Sequence, residues 1–171
     1  MSNVICHIAG PSGSGKTTIL KKIQEKYPQV IAKDLDEFDD QASAILNLDS
    51  TEKKNWKDDD FKRLADLRQE LMDEFIKQAR GPVVFGGHHR EDVHILRIPT
   101  ANNFLIDVDA HTSALRAYHR SQSENPKHRR KIEDLPFDRG EAQQEMDFLL
   151  AHGYTRKSED EILQFIGDRL G

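Results

Sequence analysis

The chain has 171 residues, 36% of them hydrophobic and 32% charged, with a formal net charge of −5. That length favours one core over two. The acidic balance gives no overall attraction to nucleic acid or anionic lipid, and no apolar run approaches the roughly 18 residues that cross a bilayer. The single cysteine, Cys6, excludes an internal disulfide framework and a multi-cysteine zinc site. The start Met1-Ser2-Asn3-Val4 carries no basic-then-apolar leader. The expectation is one cytoplasmic domain over residues 1–171, a monomer because no exposed apolar heptad can be read.

In chain order, Val4–Ala9 is a short apolar run expected to be a buried strand. A Gly/Ser-rich turn follows. Thr17 to Tyr27 then places Ile19, Leu20 and Ile23 at helical spacing before Pro28. Val30–Leu35 is a second strand ending among carboxylates. From Asp58 to Arg80, Phe61, Leu64, Leu67, Leu71 and Phe75 share a helical face, and Gly81-Pro82 closes it. Val83–Phe85 and Phe104–Val108 are two more strands, and a helix is expected from about Thr112 to Ser121. Ser121–Gly140 is polar, contains Pro126 and Pro136, and reads as a loop or lid. Glu141–His152 reads as a helix, Tyr154–Arg156 as a very short strand, and Ser158 with Glu161 as the capping box of a last helix. Strands alternating with helices point to an α/β fold.

The turn Gly10-Pro11-Ser12-Gly13-Ser14-Gly15-Lys16-Thr17 satisfies G-x-x-x-x-G-K-[ST] between a strand and a helix. Its glycines let successive backbone N–H groups from Ser12 to Thr18 converge on phosphate, and the helix N-terminus adds its dipole. Lys16 offers a point charge to the β/γ-phosphates and the Thr17 hydroxyl a ligand for Mg²⁺. This marks a nucleoside triphosphate site. A GTPase would need Asn-Lys-x-Asp, which the chain lacks, and Val83-Val84-Phe85 ends in Gly86-Gly87 where a motor ATPase would carry an acid.

Asp34-Leu35-Asp36 ends the second strand. Alternate strand residues share a face, so the two carboxylates would project together. Asp34 could then orient Mg²⁺ through water while Asp36 accepts a proton from an attacking hydroxyl; a solvated acidic turn is the alternative. His7 and Cys6 read as packing residues of the first strand. Trp56, the one tryptophan, either packs or stacks on a base. His88, His89 and His94 match no metal-ligand spacing.

With these residues in place the chain resembles the small P-loop kinases of the nucleoside monophosphate kinase and shikimate kinase type. Gly10–Thr17 matches their ATP loop, Asp34-x-Asp36 looks like the shikimate-kinase Asp-x-Asp, Phe85-Gly86-Gly87 resembles the glycine-rich end of their third strand, and Arg116-x-x-x-Arg120 is similar to the arginine pair that opens an adenylate-kinase-like lid. The resemblance implies a three-layer α/β/α sandwich with a five-stranded parallel sheet in order 2-3-1-4-5 and a lid at about 116–140. It implies ATP and Mg²⁺, catalytic roles for Lys16, Asp36, Arg116 and Arg120, ATP contacts from Gly10, Ser12, Gly13, Ser14, Gly15, Lys16, Thr17, Thr18 and Arg156, and metal contacts from Thr17 and Asp34. Asp36, Gly86, Gly87, His88 and Arg90 would face the acceptor. His88 follows Gly87 where shikimate kinases carry a third glycine, so that pocket is not reproduced. The activity implied is phosphoryl transfer from ATP to a hydroxyl of a nucleoside, sugar or polyol, or to a nucleoside monophosphate. A polynucleotide 5′-hydroxyl kinase, with Lys127–Lys131 tracking the strand, is one alternative. The other is a nucleotide-dependent switch or assembly module with slow ATPase activity.

Overall fold

The computed structural model describes residues 3–87, 97–123 and 129–171. Five strands, β1 (Val4–Ala9), β2 (Ile31–Asp34), β3 (Val83–Gly86), β4 (Asn103–Ile106) and β5 (Thr155–Lys157), form one parallel sheet in order β2-β3-β1-β4-β5. The helices among the described residues are α1 (Lys16–Lys26), α2 (Asp36–Leu46), α3 (Asp58–Gln78), α4 (Ala110–Ser121), α5 (Leu135–Ala151) and α6 (Glu159–Leu170). The expected fold class and strand order are both present.

The two-residue period of the strands sorts their side chains between two helical layers. Cys6 and Ile8, Val84, and Phe104 and Ile106 all point to the face covered by α1 and α6, where they meet Ile19, Ile23, Ile162 and Ile166. Their neighbours point the other way. Val83 and Phe85 pack with Phe38 of α2 and Met72 of α3, while Ala9 and Leu105 pack with Ala142, Met146 and Leu149 of α5. Burial on both faces is why these strands are continuously apolar. The rings of Phe38, Phe75 and Phe85 meet edge-on or tilted at 5.6–6.2 Å between centroids. A partly buried ion pair, Arg68 Nη1 to Asp39 Oδ1 at 3.1 Å, ties α3 to α2.

Two expectations change. The strand expected to carry both aspartates stops at Asp34, and Asp36 opens α2. Asp36, Glu37 and Asp39 fill that helix's first turn, where they complement its dipole, in place of the acidic turn that stood as the alternative. Residues 135–140, expected in a loop, form the start of α5. Pro136 lies in its first turn, where its missing N–H costs nothing. The long α3, the short β5 and the Ser158/Glu161 capping box fall where expected. Trp56 packs on Phe61 at 5.1 Å between ring centroids and donates its indole N–H to the Asp49 carbonyl. No described helix is long and apolar enough to cross a membrane.

Leu105 is fully buried and Ile45 is 63% exposed. Leu105→Ala is therefore expected to lower the unfolding free energy by about 2–5 kcal/mol. Ile45→Ala should change it by no more than about 0.5 kcal/mol. Urea denaturation of both variants tests this assignment of core and surface.

Candidate active site

The chain visits β1, steps outward to β2, returns to β3, and crosses β1 to reach β4. The crevice beyond the carboxyl ends of the strands, where this direction reverses, is the usual ligand site of an open α/β sheet. A cleft of about 750 Å³ occupies it. The loop between β1 and α1 forms its floor through Ser12, Gly13, Ser14, Gly15, Lys16, Thr17 and Thr18. Asp34, Asp36 and Gly87 line the end above β2 and β3. Ile106, Asp107, Val108, Ser158 and Glu159 line the end above β4 and β5. Arg116 and Arg120 of α4 and Glu145 of α5 complete the wall.

The loop is shaped for an anion. Gly13 and Gly15 have φ of 82° and 98°, values that turn their N–H groups but are strained for any residue with a Cβ. Gly15 is the N-cap of α1, whose first turn contains no acidic residue. The first N–H groups of a helix have no acceptor within it, so those of Lys16, Thr17 and Thr18 are available to phosphate oxygens. A Cβ on Gly15 would meet nothing within 4 Å. Space is therefore open over the N–H groups.

Gly13 is different. A Cβ there would lie 2.1 Å from the Ser113 carbonyl oxygen and 2.8 Å from the Ala117 nitrogen. The loop is pressed against the backbone of α4, and two polar contacts hold it. Ser113 Oγ donates to the Ser12 carbonyl at 2.7 Å, and Arg120 Nη2 donates to Ser12 Oγ at 2.8 Å. Gly10 lies beneath the floor and accepts a hydrogen bond from Lys16 Nζ through its carbonyl.

Burial pushes the Lys16 ammonium below its ordinary pKa, while the carboxylates of Glu145, Asp36 and Asp34 pull it back up and Arg120 lowers it. Asp34 shows the opposite shift. Burial raises its carboxyl above the ordinary range, opposed by the Asp36 N–H, which donates to Asp34 Oδ1 at 2.9 Å. Asp34 and Asp36 thus reach one cleft through a strand end and a helix start, not through pleat alternation.

Lys16, Thr17, Asp34, Asp36, Gly87, Arg116 and Arg120 all face this cleft, as do Ser12, Gly13, Ser14, Gly15 and Thr18. Gly86 does not: it packs over Leu20, which a Cβ there would strike at 2.6 Å. Arg156 is not in the cleft wall, but its guanidinium lies 3.8 Å from the Asp107 carboxylate, which is. His88 and Arg90, with His89 and His94, lie outside the described residues. Glu145 and Asp107 have no counterpart in the sequence expectations. Glu145 stands beside the buried Met146 and three residues after the buried Ala142, on the margin of the packed face of α5. Asp107 closes the apolar run of β4. A carboxylate at such a margin was the only available signal.

The donor set suits Mg²⁺ with a nucleoside triphosphate: a hard hydroxyl oxygen on Thr17, a hard carboxylate on Asp34, and an open anion cradle between them. Gly13→Ala should lower stability through its left-handed φ, about 1–2 kcal/mol, plus about 1–3 kcal/mol of overpacking against α4. Gly15→Ala adds a methyl to open space and should show the strain alone. Chemical denaturation of the nucleotide-free protein checks the order; an equal or larger loss for Gly15→Ala would contradict the docking of the loop on α4.

No protein-family model matches the sequence, and no curated protein matches it. Solved structures do resemble the fold. Shikimate kinase from Acinetobacter baumannii in complex with shikimate superposes with a TM-score of 0.55 and 13% identity, covering 96% of this chain and 91% of that one. A gluconokinase from Sinorhizobium meliloti 1021 gives a TM-score of 0.43 and 15% identity over 81% of this chain and 72% of its own. The chain has the fold of shikimate kinase.

Proposed function

We propose that the protein is an ATP-dependent phosphotransferase that moves the γ-phosphoryl group to a hydroxyl of a small molecule. The observation that carries this is the convergence of Lys16, Thr17, Asp34, Asp36, Arg116 and Arg120 on one cleft of about 750 Å³. That volume suits a nucleotide with a small acceptor, since ligand pockets run to about 300–1,000 Å³. The fold shared with shikimate kinase supports the same reading.

Each group has a task set by its chemistry. The N–H groups at the start of α1 bind the phosphates, and Lys16, whose pKa burial lowers and three carboxylates raise, meets the group in transfer. Arg116 and Arg120 lie four apart on α4 and so share a face. Both can neutralise charge spreading over the equatorial oxygens. Thr17 and Asp34 would hold Mg²⁺, which would offset phosphate charge when bound. Asp36 stands on the same side as Asp34 and accepts the proton of the attacking hydroxyl. A phosphate acceptor is already anionic and needs no base, so a carboxylate here favours a neutral hydroxyl. Gly87 beside Asp34 belongs to the acceptor wall, with His88 and Arg90 next in the chain. The base of the nucleotide would lie at the other end, near Asp107, Ser158 and Arg156.

The test is ADP release from ATP·Mg²⁺ against nucleosides, nucleoside monophosphates, sugars, polyols, shikimate-like acids and 5′-hydroxyl oligonucleotides. Stimulation by one hydroxyl class is the expected result. Stimulation by oligonucleotides alone would make the protein a polynucleotide kinase, and slow turnover independent of every acceptor would make it a switch or assembly module. Asp36→Asn is expected to lower kcat by about 10²–10⁴-fold while leaving ATP affinity nearly unchanged. Near-normal turnover would remove Asp36 as the base.

Asp34 gives a second outcome. Its carboxyl is raised from 3.8, so the folded state binds the proton more tightly than the unfolded chain. The stabilisation this gives is complete below 3.8 and is lost as pH rises through the raised value. At pH 7 the charged group therefore opposes folding. Asp34→Asn should raise the thermal midpoint of the nucleotide-free protein at pH 7 and reduce the further rise produced by ATP·Mg²⁺. A lower midpoint without nucleotide would contradict the burial of this charge.

A further inference from the structure

The most polar feature of the sheet interior is a histidine. Val4-Ile5-Cys6-His7-Ile8-Ala9 is otherwise an apolar strand, and His7 is only 2% exposed. It alternates with Cys6 and Ile8, so its ring enters the layer between the α2/α3 cluster and the α5 cluster. A buried imidazole is costly unless both nitrogens are satisfied. Here both are: Nε2 meets the Gly87 carbonyl, and Nδ1 lies 2.7 Å from the Tyr154 hydroxyl. The rings of His7 and Tyr154 stand edge to face at 5.4 Å and 76°.

The partners dictate the tautomer. A carbonyl oxygen only accepts, so Nε2 carries the hydrogen and donates it to Gly87. Nδ1 of the neutral ring is then bare and accepts from the Tyr154 hydroxyl. Burial pushes the Tyr154 pKa up to about 12, so the hydroxyl keeps its proton at neutral pH. The result is a directed line, Tyr154 O–H to His7 Nδ1 and His7 Nε2–H to Gly87 O. It starts just before β5, passes through β1, and ends where the chain leaves β3.

Gly87 is the residue this line holds. Its N–H donates to the Ile8 carbonyl at 3.0 Å, so β1 fixes both sides of its peptide plane region. It has φ of 110°, and a Cβ on it would lie 3.4 Å from Asp34 Oδ1. Gly87 also lines the cleft and begins the segment that leads to His88 and Arg90. The placing of Gly87 in the cleft wall beside Asp34 therefore depends on the carbonyl that His7 grips.

We propose that His7, aligned by Tyr154, is a positioning residue that fixes the acceptor wall at Gly87 beside Asp34, an assignment that rests on the cleft being the phosphotransferase site. It touches neither substrate; it acts through Gly87.

Two measurements on the full-length protein test this separately from the activity. In ¹⁵N-histidine-labelled protein, with the His7 signals identified by their loss in His7→Gln, the ring is expected to be neutral and protonated at Nε2 at neutral pH. A ring protonated at Nδ1, or a cationic ring, overturns the assignment. Hydrogen exchange at the Gly87 amide should accelerate at least about tenfold in Tyr154→Phe, which keeps the ring and loses only the hydroxyl, relative to amides of α6. Unchanged exchange there overturns the positioning role.

Kinetics then use ATP·Mg²⁺ and whichever acceptor best stimulates ADP release. His7→Leu should raise the acceptor KM by about tenfold or more and alter the ATP KM by less than about twofold. His7→Gln, whose amide still donates to Gly87, should recover most of the loss. Equal effects on both substrates, or no rescue, overturn the proposal. If His7→Leu does not fold, Tyr154→Phe carries the same comparison. If no acceptor stimulates turnover, the phosphotransferase reading fails, while the labelled ring and the exchange at Gly87 still decide whether His7 grips that turn.

Discussion

A loop that binds anions with its own backbone has few side chains with which to hold its shape. In this protein the constraint is met by contact: the loop lies against the backbone of α4 so closely that only glycine fits at position 13. Much of the cleft follows from that contact. α4 must run past the loop, so Arg116 and Arg120 arrive at the cleft wall without a dedicated segment to carry them. Ser113 and Arg120 then use the contact to fix Ser12. The same helix that braces the cradle also supplies its cations.

The electrostatics of the cleft form a second constraint. Lys16 is partly withdrawn from water, and burial alone would favour its neutral form. Glu145, Asp36 and Asp34 oppose that from different elements, α5, α2 and the end of β2. A carboxylate proposed to handle the acceptor and another proposed to handle the metal therefore also act on the lysine's field. The groups interact, so the effects of substitutions within this set should not be additive.

Much of this was legible in the sequence because its signals are local. The glycine pattern before Lys16-Thr17 needs only neighbouring residues to specify a turn. The capping box at Ser158 and Glu161 and the apolar face of α3 are likewise written within a few turns. What the sequence concealed depends on partners far along the chain. The helix after Asp34 was not read because it is secured by Phe38 packing on Phe85 and by Asp39 meeting Arg68. Pro136 looked like a break, although at a helix start it is harmless. Glu145 carries no motif, and the packing of α5 on the sheet and on α4 brings it to the cleft. His7 looked like core filler because Gly87 and Tyr154, which its ring nitrogens meet, lie 80 and 147 residues away.

The burial of Cys6 has a practical consequence. It is the chain's sole cysteine, fully enclosed, and burial pushes its thiol up to about 12, so almost none of it is the reactive thiolate at neutral pH. The folded protein is therefore chemically silent toward thiol reagents. A cysteine placed on the outer surface of α4 or α5 would take a fluorophore or spin label alone, with no native thiol to remove first. Movement of these two helices about the phosphate loop can thus be followed in a chain whose core is left intact.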